Sequence, residues 1–583
     1  MNMIQIKILG EVALPSTMNS SMGYLYDIPT DDLGIPYLPL STIFETNGYQ
    51  IPGVKLGFAH PDGYMSMVRN ANILKENIPN CVPMIRSYFL NEHLLTDRMC
   101  NIRSLKVGQI LNAHIFFEEE EREAISNTLE QITHIGVSDG VITGEVSVKL
   151  ISSELGDVNA PVLSSKCSYA SLDISYLLRT PTCFHTPFDD GSTTASYIPG
   201  SAVQAELMQN MKNTSINWDE LVFSNAYIAT NGQRLLPTPI CVSVVKLDKE
   251  QLRYRLAPGK DPRITEQDKG LDDTYTNECH KHLMRYSVPE TEHILSKDGV
   301  MYDALCPGQL FMGTIYGSDA DIRAIAAYLA RNPITNMGKL QEEGFGEVFR
   351  MICKANEKEI PARCLQQSFD VCCVSNTLIL NDKGMPTCRA EDFLAEIEHI
   401  LGVSGKLRIT GKYTGVYHDF SRNHQWNEDR NAIRCFAKGS ILRLEVIGDP
   451  IDISSIRHCF LGERTNEGYG EICTWPARGQ YYRLAEKVMI PRYDVYSRET
   501  PRNIILGARM TKSVITAILK SKVQTLAAVD RSEYAAGTPL EDLIPTELLD
   551  MFRDQYDPLL TSEEVSLWYQ EMLKGGLDHE QNY

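Results

Sequence analysis

No stretch of this 583-residue chain approaches the roughly 18 to 20 consecutive apolar residues that cross a bilayer, which excludes a helical membrane span. The N-terminal Met1-Asn2-Met3-Ile4-Gln5-Ile6-Lys7 alternates as a strand does and lacks the apolar core of a secretory signal, so a cytoplasmic location is expected. Basic charge is short as well. The formal net charge is −19, and phosphate contacts supply most of the affinity for nucleic acid, so the whole chain does not read as an autonomous polyanion binder. A metal pattern is also incomplete. The fifteen cysteines are scattered and lie mostly in apolar contexts such as Val371-Cys372-Cys373-Val374, which fits reduced, buried thiols. Cys279-His280-Lys281-His282, Cys353 and Cys364 offer ligands, but no second Cys-x-x-Cys or His-x-x-x-His pair completes a set, and a structural zinc is not expected.

Charge of both signs is segregated. Acidic residues gather at Glu118 to Glu121 and beyond Glu541, basic ones at Arg408 to Lys412, Arg430 to Lys438 and Arg509 to Lys522. An acidic whole with basic patches fits a subunit of a larger assembly, one face of which holds a polyanion. Solvated charge without a partner fits equally well. At this length roughly three to four domains of about 150 residues are expected.

Three segments end alike: Ile135-Gly136 through Gly144-Glu145-Val146, Gly338-Lys339 through Gly344-Phe345-Gly346-Glu347-Val348, and Gly462-Glu463-Arg464 through Gly468-Tyr469-Gly470-Glu471-Ile472. One Gly-x-Gly is an ordinary tight turn. Three that share a Gly-Glu-aliphatic ending mark a repeated supersecondary unit. Glycines so grouped allow positive φ and bring backbone N–H groups close to another backbone or to a phosphate. The beginnings repeat too: Tyr37-Leu38-Pro39-Leu40-Ser41 parallels Tyr197-Ile198-Pro199-Gly200-Ser201. Strands are predicted over 4–12, 145–150, 169–178, 405–411 and 440–446, and helices over 119–131, 202–211 and 390–401. Such interleaving predicts an α+β chain of ferredoxin-like (RRM-like) units on antiparallel sheets. From Pro501 onward, Ile505, Met510, Val514, Ile518 and Leu526 recur at helical spacing, which predicts a C-terminal helical region.

Tyr-aliphatic-Pro near the start of a module, paired with a glycine-rich loop at its end, resembles the RAMP superfamily of CRISPR effector complexes. The resemblance covers about residues 1 to 485. It implies tandem RAMP domains: a type III backbone-type domain over 1–155, and a unit that caps the 5′ tag of the guide RNA, as in III-D-like systems, over 162–369 and 370–490. The helical tail, 491–583, would stand in for a small helical subunit. Gln425-Trp426-Asn427 ahead of Lys438-Gly439-Ser440 belongs to the same pattern. One departure stands out. Family members commonly carry Gly-Ser-x-x-Lys-Gly after the proline, and the lysine is missing here from both copies. The glycine loops and neighbouring bases would therefore carry more of the phosphate binding.

By this resemblance Asp27 matches the cleavage aspartate, on the loop before Gly34-Ile35-Pro36-Tyr37. A carboxylate can activate a ribose 2′-hydroxyl directly or through Mg²⁺ or Mn²⁺. Alternatively, Asp27, Asp31 and Asp32 simply cap turns. No His, Lys or Arg stands beside Asp27 in sequence as a partner acid. The RNA-binding candidates are Gly136, Gly144, Lys339, Gly344, Phe345, Gly346, Arg434, Lys438, Arg464, Gly468, Tyr469 and Gly470, since backbone amides and guanidinium groups hold phosphates and exposed rings stack on bases. Phe345 and Tyr469 suit a sheet core equally. His418, His424 and Trp426 read as an exposed loop or as tag contacts. The implied partners are guide RNA, target RNA and other subunits of a type III complex. A non-catalytic scaffold and a metal-independent guide-processing endonuclease are the competing readings.

Overall fold

The computed structural model describes residues 2–15, 24–31, 33–46, 48–49, 55–78, 81–95, 100–117, 121–138, 142–152, 163–164, 167–184, 193–211, 215–230, 233–245, 248–256, 269–270, 274–276, 283–284, 286–296, 299–358, 361–419, 422–423, 428–429, 433–475, 481–484, 506–518 and 521. Cys279, His280, His282, Asp32, His424, Trp426, the linker 156–161 and most of the tail lie outside them. No described helix is long and apolar enough to cross a membrane.

The chain divides into two compact units, one of residues 1–154, 342–344 and 495–583, the other of 155–341 and 345–494. Strands predominate over helices. Three sheets repeat one strand order. In the first unit Asn2–Ile8 lies between Val146–Ser152 and Ile110–Phe116, with Phe58–Pro61 beyond. In the second unit Tyr169–Leu178 lies between Glu347–Glu357 and Leu310–Tyr316, with Tyr227–Thr230 beyond. In its other sheet Ser368–Cys373 lies between Glu471–Trp475 and Ile441–Val446, with Leu407–Tyr413 beyond. Each sheet thus runs fourth-first-third-second, and all of these pairings are antiparallel. The first strand is central because it must be buried on both edges, and in every copy it is the apolar one: Ile4, Ile6, Leu172, Ile174, Val371 and Cys373 are all buried.

The glycine loops explain why the copies share their endings. The N–H groups of Gly144, Gly346 and Gly470 donate to the carbonyls of Glu11, Pro181 and Asn376, at 2.9, 3.0 and 2.9 Å. Those of Val137, Lys339 and Glu463 donate to Ala13, Cys183 and Leu378, at 2.9, 2.8 and 2.9 Å. Each loop is therefore stapled to the segment that leaves its own first strand. Gly136, Gly338 and Gly462 have φ of 77°, 87° and 77°, and a Cβ at any of them would run into the same carbonyl of Ala13, Cys183 or Leu378. Glycine is required there by protein backbone.

The glutamate after the loop also repeats its role. The carbonyl of Glu145 takes the amides of Leu9 and Gly10, that of Glu347 takes Arg179 and Thr180, and that of Glu471 takes Val374 and Ser375. This ends the first strand at Ile8 rather than at Val12. The sequence carries a further repeat. Leu105-x-x-Gly108-Gln109, Leu305-x-x-Gly308-Gln309 and Phe436-x-x-Gly439-Ser440 each close a hairpin, Leu90–Leu95 with Cys100–Leu105, Thr291–Leu295 with Met301–Leu305, and Val416–Asp419 with Ile433–Phe436. Gly108, Gly308 and Gly439 then return an N–H to Ile8, Leu178 and Cys373.

Helices follow the predicted sites with small shifts. Arg122–Glu130, Gly200–Asn210 and Ala390–Leu401 replace the expected 119–131, 202–211 and 390–401. The second begins two residues early because Pro199, extended at φ −63° and ψ 141°, sits just outside it and sets the entry. In the third copy the second helix shrinks to the 3₁₀ turn Ser454–Ile456. A helix over 506–518 places Met510, Val514, Ile515 and Ile518 in the core of the first unit, with Ile4, Phe44 and Val68.

Candidate functional site

In the first unit Asp27 ends a short strand, Tyr24–Asp27, rather than lying on a loop. The strand forms because it pairs in parallel with Cys100–Leu105 of the hairpin, Tyr24 opposite Asn101 and Tyr26 opposite Ile102. That pairing brings up a group the local sequence lacks. Arg103 donates from Nε to Asp27 Oδ1 at 2.8 Å and from Nη2 to Oδ2, and the Ile28 amide donates to Oδ1 at 2.7 Å. The Arg103 guanidinium also lies over the Tyr24 ring at 4.1 Å. Tyr24 donates to Glu92 at 3.1 Å, and Glu92 is the residue opposite Arg103 in the hairpin. Asp31 does build a turn: Oδ1 takes the amides of Leu33 and Ile35 at 3.0 and 2.8 Å.

On the opposite face of this hairpin His93 Nε2 meets Glu11 at 2.6 Å, with Asn91 and Ser104 donating to the same carboxylate. Burial would raise the Glu11 pKa, but these hydrogen bonds outweigh it and hold it below the ordinary range. Tyr37, from the Tyr-x-Pro motif, stacks on Phe58 with centroids 4.7 Å apart and planes within 4°.

In the second unit the two motif types meet. The Gly200 amide, at the mouth of helix Gly200–Asn210, donates to Asn225 Oδ1 at 2.9 Å. Gly468 lies against both, and a Cβ there would stand 3.0 Å from the Gly200 nitrogen. Lys438 enters from the Gly439 turn. Its Nζ lies 4.8 Å over the Tyr197 ring and 5.5 Å from that of Tyr275, and it donates to Tyr275 Oη at 3.3 Å and Ser196 Oγ at 3.4 Å. A cation over aromatic faces is favourable by about 0.5–2 kcal/mol, more as water is excluded. Tyr227, Tyr417 and Tyr469 are close enough to Tyr197 for their hydroxyl ionisations to interact; burial first, then Tyr197, pushes the pKa of Tyr227 and Tyr417 up, and burial first, then Asp419, with Tyr197 adding to it, pushes up that of Tyr469.

Arg464 and Tyr469 stand at this site but face inward. Arg464, at φ 60°, forks onto Asp419 and Glu467 and stacks at 4.6 Å on Tyr469, whose hydroxyl donates to Asp419 at 2.7 Å. Phe345, in the equivalent position of the second copy, is buried. Lys339 Nζ lies 6.0 Å from the Tyr302 ring, and Arg434 is exposed opposite His418 in the third hairpin. Gly344, at φ 92°, belongs with the first unit. The structure therefore gathers Lys438, Gly468, Tyr469 and Arg464 around Tyr197, while Gly136, Gly144, Gly346 and Gly470 serve the staples described above.

Behind this site Arg234 pairs bidentately with Glu471 at 2.6 and 2.8 Å, and His458 Nε2 reaches the same carboxylate at 2.8 Å. Burial would raise the Glu471 pKa; the Arg234 charge and hydrogen bonds, with His458, pull it down to about 2. Sequence reasoning missed Arg103, Arg234, Asp419 and Glu11, since each matters only through a partner 45 to 237 residues away. Among the described residues no three His, Cys, Asp or Glu side chains converge as metal ligands do.

No family model matches the sequence, and no curated protein does. Among solved structures, the chain is similar to one in the Type III-B Cmr-beta bound to cognate target RNA and AMPPnP, at 12% identity over 46% of this chain and 86% of that chain, TM-score 0.27. It is similar to a RAMP protein binding different RNA substrates, at 10% identity over 52% and 99%, TM-score 0.25. It is also similar to a Cas6-related protein from Pyrococcus furiosus, at 8% identity over 53% and 100%, TM-score 0.25. Likeness this distant assigns no activity.

Proposed function

We propose that the chain is an RNA-binding subunit of a CRISPR type III ribonucleoprotein, built of three tandem ferredoxin-like RAMP domains, that holds the guide RNA and caps its 5′ tag. The observation that carries this reading is the meeting of the Tyr197-Ile198-Pro199-Gly200-Ser201 turn of one domain with the Gly468-Tyr469-Gly470 loop of the next around the Lys438 ammonium. Both motifs are those by which the sequence resembles RNA-gripping proteins. Tyrosine rings beside a lysine supply what an unpaired nucleotide needs, a stacking face and a counter-charge for its phosphate.

The fourth-first-third-second strand order, found three times, supports the domain layout of 1–155, 162–369 and 370–490. The acidic remainder of the surface suits contacts with other subunits in the cytoplasm. In the first domain Asp27 marks a site of target-RNA cleavage. A metal ion does not fit that carboxylate as it stands, because both oxygens already accept from Arg103.

The test is cleavage of guide-matched RNA by the assembled complex, with and without Asp27→Ala. Loss of one product while the complex still assembles is the expected result. An unchanged set of products reduces the first domain to a scaffold, and cutting of repeat RNA by the lone protein in EDTA would make it a guide-processing nuclease instead.

A further inference from the structure

In the third copy, the end at which the first strand leaves its sheet is covered, and the cover comes from residues 197–240 of the second. Tyr227 donates to the Val374 carbonyl at 2.6 Å and lies against Tyr197, with ring centroids 5.4 Å apart. Tyr197 faces Lys438, and the Ile240 amide donates to the Gly439 carbonyl at 2.9 Å. Val374 is accordingly 1% exposed, and a Cβ on Gly439 would run into the Thr238 carbonyl. The second copy is covered at the same place, where Arg179, Pro307 and Gly308 are buried. The first copy builds this end and leaves it bare. Leu9 holds the place of Val374, since the carbonyls of Glu145 and Glu471 accept from the two in the same way. Val107 holds the place of Lys438, and Gly108 that of Gly439. Ile8 exchanges hydrogen bonds with Gly108 and Gln109, which sets Leu9 and Val107 side by side. Leu9 is 41% exposed and Val107 57%, and nothing lies within 4 Å of a Cβ on Gly108.

An exposed valine where the third copy carries an ammonium, beside an exposed leucine, offers nothing to a phosphate and does suit an apolar protein contact. We infer that Leu9, Val107 and Gly108 form a docking surface for a different protein subunit, one that presents a Tyr-aliphatic-Pro turn at the mouth of a helix. A tyrosine hydroxyl of that subunit meets the Leu9 carbonyl, as Tyr227 meets that of Val374. This rests on the reading of the chain as a subunit of a larger complex. A second copy of this chain does not supply the turn. Tyr197 is engaged at Lys438, and Tyr37 stacks on Phe58, which lies against Gly344 within the first unit. The segment ahead of helix Ala390–Leu401 is Met385-Pro386-Thr387-Cys388-Arg389 and holds no tyrosine. Repeats cover one another's ends, so the end that stays bare is where another protein continues the series head to tail.

The experiment uses the full chain in its assembled complex, with the photocrosslinking residue benzoylphenylalanine in place of Val107. After irradiation the linked peptide is sequenced by mass spectrometry. A peptide of a different subunit that contains a Tyr-aliphatic-Pro sequence is the expected result. A link to a second copy of this chain, to the chain's own residues beyond 521, to RNA, or no link at all overturns the inference. The paired variant Leu9→Glu with Val107→Glu should weaken binding of that subunit by about 10-fold or more. Its unfolding midpoint and its bound guide RNA should stay as in wild type, because exposed side chains contribute little to the fold. A variant complex of unchanged composition and affinity overturns the inference as well. Wild-type protein that copurifies with no other subunit overturns the reading of the chain as part of a complex, and is thereby told apart.

Discussion

Gly470 and Gly402 share a left-handed backbone, at φ 79° and 64°, but differ in what surrounds them. A Cβ at Gly470 would collide with the Leu461 carbonyl, whereas nothing lies within 4 Å of one at Gly402, the cap of helix Ala390–Leu401. Gly402→Ala should cost about 1 kcal/mol, from backbone strain alone. Gly470→Ala should cost several-fold more, because the staple must open. Thermal unfolding of the two variants checks this, and equal losses would contradict it. Glu471 behaves differently. Its folded pKa of about 2 lies below the ordinary 4.3 or so of an unfolded chain, so its contribution is complete above that value and fades as pH falls toward 2. Arg234→Met should leave the buried carboxylate with His458 as its remaining side-chain partner, at a cost of about 3 kcal/mol. It should also shrink that acid-dependent loss, since without the Arg234 charge burial raises the carboxyl pKa and only His458 opposes it. Denaturant midpoints from pH 7 down to pH 2.5 would show both effects.

Among whole elements, the strands and helices with uninterrupted patterns were legible. Tyr169–Leu178 and Ala390–Leu401 fall where alternation and helical spacing put them. The hairpins were not, because their strands are short and mixed in polarity and take shape by pairing across turns that local pattern does not encode. Their glycine signature, Leu105-x-x-Gly108 and its two relatives, was nonetheless present in the sequence. The site was half legible. The motifs singled out Lys438 and Gly468, and the family resemblance Asp27, but neither told that Arg464 would be claimed by Asp419 and Glu467, or Asp27 by Arg103. The helix over 506–518 reads as an appendage from its spacing, yet Val514 and Ile515 are buried with the first sheet's core. Val514→Asp should therefore unfold the first unit, lowering its midpoint by about 3 kcal/mol or more for an unpaired carboxylate in an apolar core. An appendage would tolerate the change.

At the scale of the molecule, one arrangement of backbone hydrogen bonds occurs three times in a chain of low internal identity. What the copies keep is the staple between the loop and the first strand; what they vary is the side chains the staple presents. The second unit gathers Tyr197, Tyr275 and Lys438, the first Tyr24, Asp27 and Arg103. Lys438→Ala with Tyr197→Ala should weaken guide-RNA binding by about 10-fold or more, given about 1–3 kcal/mol for a stacked base, while leaving the fold intact. Filter binding at fixed salt measures it. On the proposed function this chain holds a guide RNA by its 5′ end. The most direct test is to purify the protein from cells that carry its CRISPR repeats and sequence the RNA bound to it. Repeat-derived RNA with one uniform 5′ end is the predicted result; no RNA, or fragments of unrelated sequence with scattered ends, would contradict the account.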